Sequence, residues 1–316
     1  MSDTAKPSQD KSFFGFDKNP SNILPTKYTL DSKIKFRCHP GVPCFTQCCR
    51  DIKIVLTPYD ILTLRRRLNM TAAEFLHVYT EPTYLQKVDF PGVIIKLNEQ
   101  GICPFLKSAA EGCNIYTDRP TACRYYPVGM AHFHEGAQEE QTAEEFYFVV
   151  KEPHCKGFEE DKTWTIRDWR ADQGVDLRDR MNKGWMEIVM RRKSFGFQAT
   201  LSEQAKRMFF MTSTDLDQFR KFIFESSFLD SYEVDAEILE RIRTDDVELM
   251  LFSFKLLAAM LFGTNDVKVK EEKLKAKIEE IKKKQEVSAK TMEEKADADM
   301  RDILAERERI RQETGK

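Results

Sequence analysis

Cys113-Asn-Ile-Tyr-Thr-Asp-Arg-Pro-Thr-Ala-Cys123-Arg-Tyr-Tyr-Pro127 is the stretch that decides how this chain reads. Two thiols stand ten residues apart with turn residues between them, so loops carry the sulfurs. The same spacing leads back to Cys103, in Gly101-Ile-Cys103-Pro-Phe-Leu, and Cys155 follows in Pro-His-Cys155-Lys-Gly. Further upstream, Cys38-His-Pro-Gly-Val-Pro-Cys44-Phe-Thr-Gln-Cys48-Cys49 carries the other four thiols and is broken by Pro40, Gly41 and Pro43. Proline and glycine favour turns, and turns let sulfurs converge.

The N-terminus, Met-Ser-Asp-Thr-Ala-Lys-Pro, has no apolar stretch behind its charges, so a cytoplasmic location is expected. In a reducing compartment clustered cysteines serve as metal ligands or redox groups rather than as disulfides. The candidate ligands are Cys38, Cys44, Cys48, Cys49, Cys103, Cys113, Cys123 and Cys155. Zinc takes four ligands in tetrahedral array with sulfur at about 2.3 Å, and iron–sulfur clusters are also held by thiolates. Eight thiols match two zinc sites, or one iron–sulfur cluster plus a zinc. Neighbouring side chains diverge, so Cys48 and Cys49 need not serve the same ion. Paired CxxC knuckles are missing, which argues against the common zinc ribbons.

Other residue types are read against this cluster. His39 and His154 abut cysteines, and a supporting or surface role is expected for them over ligation. His132 and His134 share a face if extended, and His77 sits in an expected helix as a structural residue. Arg119 and Arg124 flank Cys123. They either balance thiolate charge, bind an anion, or pair with Asp118 or Glu111. Tyr116, Tyr125 and Tyr126 are expected to pack around the site and limit solvent access. No Ser-His-Asp or Cys-His nucleophile set stands out, so no catalytic residue is assigned.

The vicinal cysteines, the GICPFL stretch and GCNIYTDRPTACRYYP together resemble the YkgJ-type cysteine-cluster proteins, described as zinc- or iron-chelating domains. The resemblance covers residues 36–157, and its most specific part is Cys-x-Ile-Tyr-x-x-Arg-Pro-x-x-Cys-Arg, from Cys113 to Arg124. It implies chelation of zinc or iron without naming a reaction. Flagellin lysine methylases contain a similar cluster, so the resemblance also implies, as an alternative, an iron–sulfur enzyme. No GxGxxG loop for S-adenosylmethionine is present, which weighs against that alternative. A third reading is an interaction scaffold stapled by zinc.

Around the cluster the pattern is α+β: a small cysteine-rich metal-binding domain, then a helical domain and a charged helical tail. The expected boundaries are a flexible segment at 1–30, the cysteine domain at 31–158, helices at 159–265 and the tail at 266–316. Residues 51–57 (DIKIVLT) alternate as a strand does, and residues 93–97 and 146–150 read as further strands. Thr57 with Pro58 opens one helix and the Thr71–Glu74 capping box a second. Helical stripes follow at 177–192, 201–211, 216–228 and 235–262.

The tail lacks proline and places opposite charges four apart, as in Glu271–Lys275. Its apolar residues do not sustain a heptad, so a solvated helix is expected in preference to a coiled coil. The net charge of -2 supplies no basic face for nucleic acid. No apolar run reaches the length of a membrane span. The expected partners are therefore the metal ion and, through the helical region, a protein.

Overall fold

The computed structural model describes residues 22–24, 26–133, 144–194 and 200–314. Most of the segment expected to be flexible, and His134, lie outside them. Strand β1 (Lys33–Lys35) pairs antiparallel with β8 (Thr163–Thr165), which closes the cysteine-rich region at its base. Thr57 caps α1 (Pro58–Leu68): its hydroxyl accepts from the Asp60 N–H, and the Asp60 carboxylate accepts from the Thr57 N–H. Pro58 sits in the first turn, where a missing N–H leaves no bond unmade. The Thr71–Glu74 box opens α2 (Ala72–Tyr79) in the same reciprocal way.

Two-stranded antiparallel pairs follow: β2 (Thr80–Leu85) with β3 (Phe90–Ile95), β4 (Leu106–Ser108) with β5 (Gly112–Cys113), and β6 (Val128–Phe133) with β7 (Glu144–Val149). Residues 51–57 do not form the strand expected of them. They meet β3 at one bridge, Val55 with Ile94, because Asp51 takes a positive φ of 50° at one end and Thr57 leaves as a helix cap at the other.

Helix α3 (Thr121–Tyr125) lies between β5 and β6. After β8 the chain is helical: α4 (Ile166–Gln173), α5 (Val175–Ser194), α6 (Glu203–Thr214), α7 (Leu216–Glu225), the short α8 (Phe228–Ser231), α9 (Ala236–Thr244) and α10 (Asp246–Phe262). The expected single helix over 235–262 is broken at Asp245. That carboxylate accepts from the N–H groups of Val247 and Glu248 and restarts the helix in a new direction. A small pair, β9 (Tyr232–Glu233) with β10 (Lys268–Val269), pins the chain before α11 (Glu271–Thr314). The fold is α+β, as the sequence indicates. Among the described residues no helix is long and apolar enough to cross a membrane.

Three apolar cores position the cysteines. Ile54, Leu56, Ile61, Leu64, Phe75 and Phe105 form one, and Cys103, Cys113 and Cys123 pack against it. Phe36, Val128, Tyr147, Ile166 and Trp169 form another, and Tyr126 and Cys155 pack against that one. The thiols therefore collect at the seam between two small cores. The third and largest core belongs to α5–α10, yet it takes in Leu62, Val88 and Phe90 from the cysteine-rich half. Phe90 stacks on Phe209 with centroids 3.7 Å apart.

Candidate metal centre

The loop carrying four of the eight thiols is built from consecutive turns. Val42 N–H donates to the His39 carbonyl, Phe45 to Val42, Gln47 to Cys44 and Cys49 to Thr46. Thr46 takes a left-handed φ of 68° and starts a 3-10 turn, Gln47–Cys49, that presents the vicinal pair. A bridge between Arg50 and Ile102, with Cys103 N–H donating 2.9 Å to the Cys49 carbonyl, lays the second cysteine stretch beside the first. Gly101 makes this approach possible: its φ is +70°, and a Cβ there would fall on the Asp51 carboxylate. The β4–β5 hairpin then delivers Cys113 opposite Leu106.

Cys123 is held by a residue that the sequence reading did not single out. Asp60 is fully buried in α1, and its carboxylate accepts from the Thr121 N–H at 2.9 Å, the Thr121 hydroxyl at 2.7 Å and the Thr57 N–H at 3.1 Å. Arg178 of α5 stands 3.4 Å away. The helix carrying Cys123 is thus pinned at its first residue to both α1 and α5. The capping-box spacing Thr57-x-x-Asp60 was the available signal, but it marks a helix start and says nothing of the long-range partners.

Cys155 arrives from the other side. Lys156 N–H donates 3.0 Å to the Cys44 sulfur, and Arg37 N–H donates to the Gly157 carbonyl. A Cβ on Gly157 would meet the Phe36 ring at 2.7 Å and the Arg37 carbonyl at 2.9 Å, so this contact requires glycine. All eight cysteines are free thiols.

The electrostatics show which sulfurs act on one another. The Cys49 thiol donates to Cys48, holding Cys48 down to about 7 and Cys49 far above its ordinary value. Cys49 is raised further by burial and by the charges of Cys48, Cys103 and Cys113. The Cys38 thiol is crowded on its cluster side although the residue reaches the surface. Loss of water there, and then the charges of Cys48, Cys44 and Cys155, push it up to about 11. Cys123 is pushed up to about 12, by burial first and then by Cys103. Burial also raises Cys103, Cys113 and Cys155.

Opposing that rise, backbone N–H groups point at several sulfurs: Phe105 and Leu106 at Cys103, Ile115 at Cys113, Gly157 at Cys155. Such donors favour a thiolate. Arg119 lowers Cys38, Cys48, Cys113 and Cys123, so its positive charge acts on thiols of both cysteine stretches.

Arg119 settles one of the alternatives left by the sequence. Among the described residues no carboxylate pairs with it: Asp118 pairs with Arg67, and Glu111 with Lys107. It stacks on Tyr116 at 4.1 Å, donates to Gln173, and keeps a buried Nε with no partner. Arg124 is structural, since it donates to the carbonyls of Arg119, Gln173 and Thr117. The Tyr126 hydroxyl is buried without a partner of good geometry. Burial first, and then the Cys155 sulfur, hold its pKa well above the usual range. Tyr125 instead donates to Asp179 at 2.5 Å and accepts from Arg170 at 2.8 Å, tying α3 to α4 and α5.

Both ring nitrogens of His39 are engaged, one with Glu160 at 3.0 Å and one with the Gly41 N–H at 3.2 Å, so it supports the loop. His154 and His77 are exposed, and His132 falls in β6 opposite Glu145.

The donor set fits a cationic group. Buried thiols with raised pKa values cannot ionise together unless positive charge is supplied at their centre. The sulfurs are paired rather than converged, and among the described residues no three Cys, His, Asp or Glu side chains surround a single point.

Residues 37–161 match the family model CxxCxxCC, described as "Putative zinc- or iron-chelating domain". This domain is of the YkgJ type. No curated protein and no solved structure matches the chain. The family's name spaces its first three cysteines by two residues, whereas here the run is Cys38-x5-Cys44-x3-Cys48-Cys49. The turns around Pro40, Gly41 and Pro43 take up the added length between Cys38 and Cys44, and the left-handed turn at Thr46 lies in the longer spacing to Cys48. The match suggests a zinc- or iron-chelating function for residues 37–161.

Proposed function

We propose that the YkgJ-type domain holds two thiolate centres and that the vicinal pair divides between them. Cys38, Cys44, Cys48 and Cys155 take one, and Cys49, Cys103, Cys113 and Cys123 the other. The observation that carries this reading is the pattern of mutual influence: Cys38 responds to Cys44, Cys48 and Cys155, while Cys49 responds to Cys103 and Cys113, and Cys123 to Cys103, with Cys48 standing between the two groups and acting on Cys49, Cys103, Cys113 and Cys123 as well. The backbone pairs the same groups, Cys49 with Cys103 and Cys44 with Lys156. A change of rotamer swings each sulfur between staggered wells and lets a quartet close on a metal. Four thiolates around a divalent ion leave net negative charge, which Arg119 offsets from between the two groups. An all-thiolate set suits zinc or an iron–sulfur cluster, and it needs a reducing compartment to stay unpaired.

The test is metal per chain after anaerobic purification, with zinc, iron and sulfide counted separately. Two centres are expected. Serine keeps the size of cysteine but is a poor ligand. Changing Cys49, Cys103, Cys113 or Cys123 to Ser should therefore remove one centre and spare the other, and changing Cys38, Cys44, Cys48 or Cys155 the reverse. Loss of all metal from every single variant would mean one shared centre, and full metal in all of them would sink thiolate ligation altogether.

A further inference from the structure

Helix α11 runs for 44 residues, roughly 66 Å at 1.5 Å per residue. Among the described residues none of the three cores draws a side chain from it. It nevertheless carries an apolar repeat, of eleven residues rather than seven. Ile281, Met292 and Ile303 are eleven apart, as are Ile278, Ala289 and Met300. An eleven-residue repeat matches 3.67 residues per turn, so the stripe stays on one side of a nearly straight helix, within an arc of about 100°. Met292 is 73% exposed, Met300 57% and Ile303 54%.

Charge runs along the same helix. Residues 271–290 hold seven lysines and five glutamates, whereas residues 291–310 hold four basic and seven acidic side chains.

We infer that α11 pairs antiparallel with the α11 of a second copy of this chain. A two-fold axis between residues 290 and 291 sets position 278 against 303, 281 against 300 and 289 against 292, each apolar on apolar, and between these levels sets Gln285 against Ala296. The basic half of each helix then lies along the acidic half of its partner. A parallel pair would set like on like. The antiparallel pair also leaves the two folded bodies at opposite ends of the rod, where they do not collide. The same stripe on a different protein would need a matching eleven-residue repeat and the reversed charge order, and this chain supplies both to itself.

The experiment is sedimentation of the full chain, in its metal-loaded form, over a range of concentration. A species of twice the 36.9 kDa chain mass is expected. Met292→Lys with Ile303→Lys should return it to a single chain with metal content unchanged. Val287→Lys, on the opposite side of the helix, should leave the dimer intact and shows that a lysine as such does not melt α11. Orientation is read from a variant with the charges of both halves exchanged. It should pair with itself and fail to pair with the unaltered chain, whereas a parallel pair would show the reverse. A single chain at every concentration overturns the inference, as does a dimer indifferent to the Met292 and Ile303 changes.

Discussion

Asp60 concentrates more consequence in one side chain than any of the cysteines. Its carboxylate is fully buried and serves three donors from two segments, with Arg178 beside it. Asparagine keeps one acceptor oxygen but turns an N–H pair toward groups that already donate. Asp60→Asn should therefore cost about 3 kcal/mol, in the range for breaking a buried charged pair. It should also loosen the helix that carries Cys123. Denaturant unfolding and metal content check it together, and an unchanged midpoint would show that Asp60 is dispensable.

Thiol titration belongs to the same scale. Cys38 and Cys123 are held at about 11 and about 12, above an ordinary thiol. A raised acid is protonated longer in the folded state than in the unfolded one. Its contribution to stability is therefore full below the unfolded pKa and is lost as pH rises toward the folded value. The metal-free protein should become less stable from about pH 9 upward. Metal-loaded protein should not follow, because its ligating sulfurs have already given up their protons. Identical pH profiles for the two forms would count against metal at these thiols.

At the scale of elements, the contact between β3 and α6 decides how far the two halves of the chain are coupled. Phe90 and Phe209 stack inside the large helical core, alongside Leu62 and Val88. Phe209→Ala should cost about 3–5 kcal/mol as a buried ring removed from a packed site. It should broaden unfolding of both halves rather than of the helices alone, as read by circular dichroism and thiol accessibility followed together. A strong chelator acts on the other side of this contact. The loops at 37–50 and 101–124 owe their closure to a few turns, while α5–α10 have their own apolar core. Metal removal should free the thiols to modification and leave most of the helical signal. A uniform collapse of the helical signal would show that the helices lean on the metal.

For the whole molecule, the chain is tied down as far as Lys270. Val267 is buried in the helical core, Lys268 and Val269 pair with β9, and the Lys270 ammonium donates to the Leu229 carbonyl at 2.7 Å. A truncation that removes only 271–316 should keep metal content and the main unfolding transition, and should yield single chains. Loss of metal on this truncation would place α11 in the domain's stability rather than in association.

The sequence by itself determined what local chemistry can dictate. Thr57 with Pro58 and Thr71 with Glu74 announced two helix starts, because a helix start is specified within its first turn. Pro40, Gly41 and Pro43 announced a turning loop. The spacing of Cys113, Arg119 and Cys123 brought out the family resemblance. The grouping of thiols was not legible, because it depends on which loops two separate cores bring to one seam. Nor was it legible that Asp118 and Glu111 leave Arg119 to Gln173 and Tyr116, which rests on where Arg67 and Lys107 send their own charges. Asp245 looked like a residue within one long helix, and only its side-chain bonds to the next turn show the break. Residues 51–57 alternated like a strand, yet strand formation depends on a partner of matching length, and β3 meets them at a single bridge. Patterns that close within a turn or two are written in the chain, whereas those that need a distant partner wait for the fold.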